Sequence, residues 1–126
     1  MYETRADAAE NLLFIKLIGM LDDDEADRAG DAIQAAVAEL NPGFNVINDI
    51  SASQPTGPSV SEKFKRIQSF LFDRGAKRVI RVVGPGGGTT NLQLARTQRE
   101  ASAGYHTFTV ATLAEAHAKL RALDGR

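Results

Sequence analysis

A glycine-rich loop is the part of this sequence best suited to binding an anion. Gly84-Pro85-Gly86-Gly87-Gly88-Thr89-Thr90 follows an apolar segment and precedes residues that cap helices. Backbone N–H groups at such a helix start attract phosphate or carboxylate groups. The loop lacks the lysine of a Walker A motif, and its third glycine position does not fit a dinucleotide-binding fingerprint. The loop predicts either an anion site or a strand-to-helix turn in which the glycines only allow the backbone to turn. The candidate anion-binding residues are Gly86, Gly87, Gly88, Thr89 and Thr90.

Asp49 and Ser51 form a second candidate for ligand binding, next to the end of an apolar segment. Open parallel sheets bind ligands beyond the carboxyl ends of their strands. A Ser-His-Asp arrangement would require His106 or His117 to approach this pair. The sequence has no Gly-x-Ser-x-Gly elbow to support that chemistry. We therefore assign no catalytic residue.

Five acidic residues crowd a short segment that begins a helical pattern. Their spacing does not follow a calcium-binding EF-hand loop. Negative charge at a helix start is stabilised by the helix dipole, which explains the cluster without a metal. The sequence predicts no metal site and no cofactor. The acidic residues are Asp22, Asp23, Asp24, Glu25 and Asp27.

Composition narrows the classes of protein. The chain has 126 residues, 43% of them hydrophobic and 25% charged, which predicts one globular domain. It has no cysteine, so disulfides and thiol nucleophiles are excluded. The pI near 6.1 and the absence of tryptophan argue against nucleic acid binding. The apolar run from Leu12 to Leu21 is too short to cross a bilayer, and no secretory signal opens the sequence. We expect a cytoplasmic protein without membrane insertion.

Charge is distributed unevenly along the chain. Residues 1–63 carry 4 basic and 12 acidic side chains, whereas residues 64–126 carry 11 and 4. A dipolar surface favours self-association, such as a homodimer, or the binding of an anion. The alternative is that the two halves interleave in space and neutralise each other.

Hydrophobic periodicity predicts alternating strands and helices. The predicted strands are Tyr2–Asp7, Leu12–Ile18, Phe44–Ile50, Lys77–Val83 and Thr107–Val110. Helices are predicted after the caps Asp22, Ser59, Thr90 and Thr112, with a capping box at Ser59–Glu62. This order predicts an α/β fold with a mainly parallel sheet of about five strands and about four helices. The first strand is expected to be an antiparallel edge.

Three polar residues interrupt the apolar strands: Lys16, Asn48 and Arg81. If helices cover mainly one face of the sheet, these residues mark the other face as an interaction surface. The alternative is that the two long side chains extend out of a closed core.

The sequence resembles the STAS family, the sulfate transporter and anti-sigma factor antagonist domain of the SpoIIAA-like fold group. Gly19-Met20-Leu21-Asp22 is similar to the family's Gly-x-Leu-Asp at a strand end. Val46–Ser51 is similar to its strand ending in Asp-Leu-Ser. Phe108–Val110 followed by Thr112–Ala116 is similar to its last strand and helix start. The order of elements agrees over nearly the whole chain.

The resemblance implies a small non-enzymatic module that binds a partner protein. In anti-sigma factor antagonists, phosphorylation of a serine at the helix start after the third strand disrupts partner binding. Pro55-Thr56-Gly57-Pro58-Ser59 replaces the family's Asp-Ser-Ser-Gly-like signature here. Ser59 occupies a comparable helix start and is the candidate phosphorylation site. The alternative hypothesis is a protein that binds a small anion or a lipid, possibly an enzyme, through Asp49 and the glycine-rich loop.

Overall fold

Strands and helices alternate along the chain in a computed structural model, which describes residues 1–84 and 106–123. The strands are β1 (Tyr2–Asp7), β2 (Leu12–Gly19), β3 (Asn45–Ser53), β4 (Arg78–Val82) and β5 (His106–Val110). The helices are α1 (Asp23–Val37), α2 (Pro58–Asp73) and α3 (Leu113–Leu123). The helix predicted from Thr90 to about Ser102 lies outside the described residues, as does most of the glycine-rich loop.

The five strands form one sheet in the order β1-β2-β3-β4-β5. β1 pairs antiparallel with β2, and every other pair is parallel. The predicted α/β architecture with an antiparallel edge is therefore confirmed. Because the sheet order follows the chain order, the three strands of the acidic half (β1, β2 and β3) are neighbours in the sheet, and so are the two strands of the basic half (β4 and β5). The strands of the two halves therefore do not interleave.

Both faces of the sheet are covered. On one face, odd-numbered residues of β2, such as Leu13 and Ile15, pack with Val46, Ile33 and Phe64 under α1 and α2. On the other face, a second set of side chains packs together with α3. Its buried members are Phe14, Ile47, Ile80, Val82, Ala116 and Leu120. Alternation with a period of two sends neighbouring side chains to opposite faces, so a continuous apolar run fills both cores.

Two of the three described helices begin with a side chain that caps the helix. Asp22 Oδ1 accepts a hydrogen bond from the Glu25 N–H at 2.8 Å, as predicted. Thr112 Oγ1 accepts from the Glu115 N–H at 3.2 Å, which confirms the third cap. Each bond satisfies a donor that the first helical turn leaves without an intrahelical partner.

The predicted capping box at Ser59–Glu62 is wrong. α2 begins at Pro58, and its N-cap is Gly57, which has no side chain to contribute. Proline suits the first helical position because its φ is fixed and it lacks the N–H that would remain unpaired. Ser59 is consequently inside the first turn, and its hydroxyl is available for another contact.

Replacing a leucine in the core and one on the surface tests this layer arrangement. Leu13 is fully buried in β2, whereas Leu113 at the start of α3 is 36% exposed. We expect Leu13→Ala to lower the free energy of unfolding by about 2–5 kcal/mol, because it leaves a cavity. Leu113→Ala should cost less than about 1 kcal/mol, since alanine favours helix and little apolar area is lost. Urea unfolding of both variants measures the difference, and equal losses would contradict the arrangement.

Candidate functional site

The carboxyl ends of β2, β3 and β4 meet at one edge of the sheet, since these strands are parallel. α1 and α2 begin at this edge because each follows one of these strands directly. Parallel α/β sheets place ligand sites beyond this edge. The predicted residues Asp49, Ser51 and Ser59, and the start of the glycine-rich loop, all belong to this side of the molecule.

Asp49 and Ser51 contact each other directly. Asp49 Oδ1 accepts hydrogen bonds from the Ser51 N–H at 3.0 Å and from Ser51 Oγ at 2.6 Å. Asp49 is only 7% exposed. The predicted end of this strand at Ile50 is wrong, because β3 continues to Ser53. Asp49 therefore lies within the strand, where its carboxylate orients the Ser51 hydroxyl and would repel a bound anion.

An irregularity in the sheet explains the Asp49–Ser51 geometry. β3 has one more residue than β2 between the pairs Lys16–Asp49 and Ile18–Ala52. Such a bulge interrupts the ladder of backbone hydrogen bonds and leaves an N–H to be satisfied in another way. The Ser51 N–H finds its acceptor in Asp49.

The start of the glycine-rich loop passes against Ser51. Gly84 has a φ of +54°, and a Cβ atom built on it would lie 2.8 Å from Ser51 Cβ. Only glycine fits both the backbone conformation and the close approach. The structure thus brings Asp49, Ser51 and Gly84 together. Gly86, Gly87, Gly88, Thr89 and Thr90 lie outside the described residues, so the anion site remains a prediction.

The two histidines lie away from Ser51. His106 begins β5 and pairs with Arg78 at the first position of β4, at the opposite edge of the sheet. His117 of α3 lines a cleft of about 330 Å³ with Asp7 and Asn45, also at that opposite edge. Within the described residues, no Ser-His-Asp arrangement forms.

Lys16, Asn48 and Arg81, predicted to mark one interaction face, do not share a face of the sheet. Asn48 pairs with Ile15 on one side and Arg81 on the other, so these side chains share the face covered by α1 and α2. Lys16 pairs with Asp49 and lies on the opposite face. Arg81 is only 3% exposed. Helices cover both faces, and the registers of β2 and β3 place the three side chains on different ones.

Ser59 joins the first turns of the two neighbouring helices. Ser59 is exposed, and its Oγ donates a hydrogen bond to Asp23 Oδ1 at 2.7 Å. One turn further along each helix, Lys63 Nζ lies 2.6 Å from Asp27 Oδ1. The acidic residues thus cap α1 and tie it to α2. Among residues 1–84 and 106–123, no group of three or more metal-ligating side chains could hold a metal ion.

Met20 is a surface feature that the sequence analysis did not select. It lies between β2 and the N-cap of α1 and is 61% exposed. The sequence feature that could have indicated this exposure is its place in a short connection between Gly19, which has a φ of +70°, and the helix cap Asp22. Leu21, the next residue, is buried, so the two side chains of this connection point in different directions.

Comparison with known proteins identifies the fold. No protein-family model matches the chain, and no curated protein matches it in sequence. The structure is similar to the crystal structure of an anti-sigma factor antagonist from Mycobacterium paratuberculosis, with a TM-score of 0.59 and 18% sequence identity. The match covers 96% of this chain and 95% of that chain. The chain has a STAS-like fold.

This fold agrees with the resemblance seen in the sequence, because the alignment extends over nearly all of both chains. Within the described part of the STAS-like fold, no helix is both long and apolar enough to cross a membrane.

Two glycine substitutions separate backbone strain from crowding at this edge. Gly84 and Gly19 both have a positive φ, but open space surrounds Gly19, whereas Gly84 abuts Ser51. We expect Gly19→Ala to lower the free energy of unfolding by about 1–2 kcal/mol through strain alone. Gly84→Ala should cost about 1–3 kcal/mol more, because the new methyl group must displace Ser51. Chemical denaturation measures both, and equal losses would show that Gly84 does not approach Ser51 so closely.

Proposed function

We propose that this protein is a non-enzymatic regulatory module that docks a partner protein at the carboxyl edge of its sheet. The docking surface comprises Met20, Asp22, Asp23, Asp24 and Ser59, and we call it the helix-start surface. The observation that carries the proposal is the exposure of Met20, an apolar side chain that precedes the exposed carboxylates of Asp22, Asp23 and Asp24 in the chain.

The composition of this surface indicates the chemistry of the partner. A central apolar side chain with a polar rim is the usual pattern of a protein–protein contact. Asp22, Asp23 and Asp24 are all exposed, so they favour a partner with a basic surface around an apolar pocket. Two copies of this surface would repel each other, which disfavours symmetric self-association here.

Similarity to an anti-sigma factor antagonist supports a regulatory role. That protein shares the STAS-like fold over 95% of its length, and an anti-sigma factor antagonist acts on another protein. Fold alone does not determine function, so the proposal also depends on the exposed groups of the helix-start surface.

Ser59 is suited to act as the regulated position on this surface. Its hydroxyl is exposed and lies 2.7 Å from the Asp23 carboxylate. A phosphate there would replace a hydrogen-bond donor with a charge of about −1.5 to −2. The added charge would repel Asp23 and change the charge that the surface presents to a partner.

A purified partner pair tests the docking surface. Proteins retained by the immobilised wild-type chain are identified and expressed, and each dissociation constant is measured by calorimetry. We expect Met20→Asp and the double variant Asp23→Asn/Asp24→Asn each to weaken binding at least about tenfold, with weaker wild-type binding at high salt. Glu10→Gln, at an exposed position near the opposite edge, is the matched control and should bind normally. Unchanged affinity in both surface variants, or no partner at all, would refute the proposal.

A double-mutant cycle tests whether a charge at Ser59 is coupled to Asp23. An acidic residue in the first turn of α2 is stabilised by the helix dipole but repelled by Asp23. We therefore compare the change in the free energy of unfolding that Ser59→Asp causes in two backgrounds. We expect this change to be less stabilising in the wild type than in the Asp23→Asn variant. The coupling should be about 0.5–1 kcal/mol and should shrink in high salt.

The variant Ser59→Ala controls for the lost hydrogen bond, since it removes the hydroxyl without adding charge. Partner affinity should follow the order wild type, Ser59→Ala and Ser59→Asp, from tightest to weakest. If Ser59→Asp bound the partner as tightly as Ser59→Ala, charge at this position would not regulate docking.

A further inference from the structure

β1 is an edge strand whose outer side pairs with no strand in the part of the chain that the structure describes. Its inner side pairs with β2. The side chains of β1 alternate between half-buried and exposed along all 6 residues. An edge strand of this kind presents backbone N–H and C=O groups that can pair with a strand from another chain.

The hydrogen bonds between β1 and β2 determine which backbone groups of β1 point outward. The Met1 amino group donates to the Ile18 carbonyl at 2.9 Å, and the Ile18 N–H donates to the Met1 carbonyl at 2.8 Å. In an antiparallel pair such exchanges recur at every second residue, so the odd-numbered residues of β1 bond to β2. The residues whose N–H and C=O groups point outward are therefore Tyr2, Thr4 and Ala6.

Two side chains of opposite charge lie on one face of β1. Glu3 and Arg5 are both exposed, and the guanidinium carbon of Arg5 lies 4.5 Å from the centre of the Phe14 ring. Because Phe14 packs in the core beneath α3, both charged side chains are on that face of the sheet. Among the described residues, the Glu3 carboxylate forms no ion pair. A basic group from another chain can therefore pair with it.

A groove lies beside β1. It has a volume of about 440 Å³, and its lining includes Tyr2, Glu3, Thr4 and Arg5 together with Ala32 of α1. Because residues from both faces of β1 line it, the groove follows the outer side of the strand. The side chain of Ala32 is only a methyl group, so α1 leaves room for a further strand there.

We propose that a second copy of this chain binds here, with its β1 antiparallel to the first, so that the two sheets become one. In this register Thr4 lies opposite Thr4 of the second copy, on a two-fold axis. Glu3 then lies opposite Arg5 of the second copy, and Arg5 lies opposite Glu3. The outward backbone groups of Tyr2 pair with those of Ala6 of the second copy.

Charge selects this register over its neighbours. Sliding one strand by two residues places Glu3 opposite Glu3 in one direction and Arg5 opposite Arg5 in the other. Like charges directly opposite each other destabilise a sheet, whereas opposite charges stabilise it. Sliding by one residue is excluded, because outward backbone groups would then face residues that bond to β2. The charges of this edge strand therefore match a second copy of the same strand.

This contact goes beyond the proposed docking function and does not depend on it. No residue of the helix-start surface lies in β1. A dimer formed through β1 therefore has two helix-start surfaces, one on each copy.

Sedimentation equilibrium of the full chain over a series of concentrations tests the association. We expect the mass to rise from 13.5 kDa toward twice that value and to stop there, because the two-fold contact occupies the outer side of β1 in both copies. Association should weaken in high salt, since the charge pairs are exposed. A mass that stays at 13.5 kDa up to about 1 mM, or that grows beyond a dimer, would overturn the proposal.

Charge reversal tests the register. Glu3→Arg and Arg5→Glu each place like charges opposite one another, so each should weaken dimer formation at least about tenfold. An equimolar mixture of the two variants restores every pair of opposite charges and should form a heterodimer about as tightly as the wild type dimerises. Glu62→Arg, at an exposed position in α2, changes the net charge equally and should dimerise normally. Failure of the mixture to associate would contradict the register.

Amide hydrogen exchange followed by NMR locates the contact in the wild-type chain. The N–H groups of Thr4 and Ala6 should exchange more slowly as the concentration rises, because they gain hydrogen-bond partners only in the dimer. The N–H groups of Glu3 and Arg5 bond to β2 in the monomer, so their exchange should depend little on concentration. A dimer that leaves exchange at Thr4 and Ala6 unchanged would refute the assignment of the contact to β1.

Discussion

Burial of β3 on both of its faces is the constraint on which the rest of the structure depends. Val46 and Ile50 are fully buried against α1 and α2, and Ile47 is fully buried on the face covered by α3. A strand with apolar side chains in both directions must have a layer of structure on each face. That requirement places α1 and α2 together on one side and α3 on the other.

The same constraint determines where polar side chains within the strands can lie. Asn48 and Arg81 are enclosed beneath α1 and α2, where a cavity accompanies them. Asp49 is enclosed on the other face, where it hydrogen-bonds to Ser51. Polar groups in a closed core need hydrogen-bond partners. The two faces therefore differ in their polar groups: an amide and a guanidinium group on one face, and a carboxylate bonded to a serine on the other.

Because both faces of the sheet are covered, the proposed docking surface lies at the edge of the sheet. The connections from β2 to α1 and from β3 to α2 bring two helix starts side by side, joined by the bond from Ser59 to Asp23. Negative charge at Asp23, Asp24 and Glu25 stabilises the first turn of α1. Because Met20 is exposed beside these charges, stabilising residues and accessible residues form one surface.

Within residues 1–84 and 106–123, the sequence by itself determined the element order, the antiparallel first strand and the helix caps at Asp22 and Thr112. These features depend on side-chain periodicity and on contacts within about four residues, which a sequence displays directly. Tertiary structure decided that Lys16 faces away from Asn48 and Arg81, because register between strands depends on packing. It also moved the start of α2 ahead of Ser59, and it placed Gly84 against Ser51 across more than thirty residues. Contacts between segments that are distant in sequence depend on how the whole core packs. The local sequence pattern therefore does not predict them.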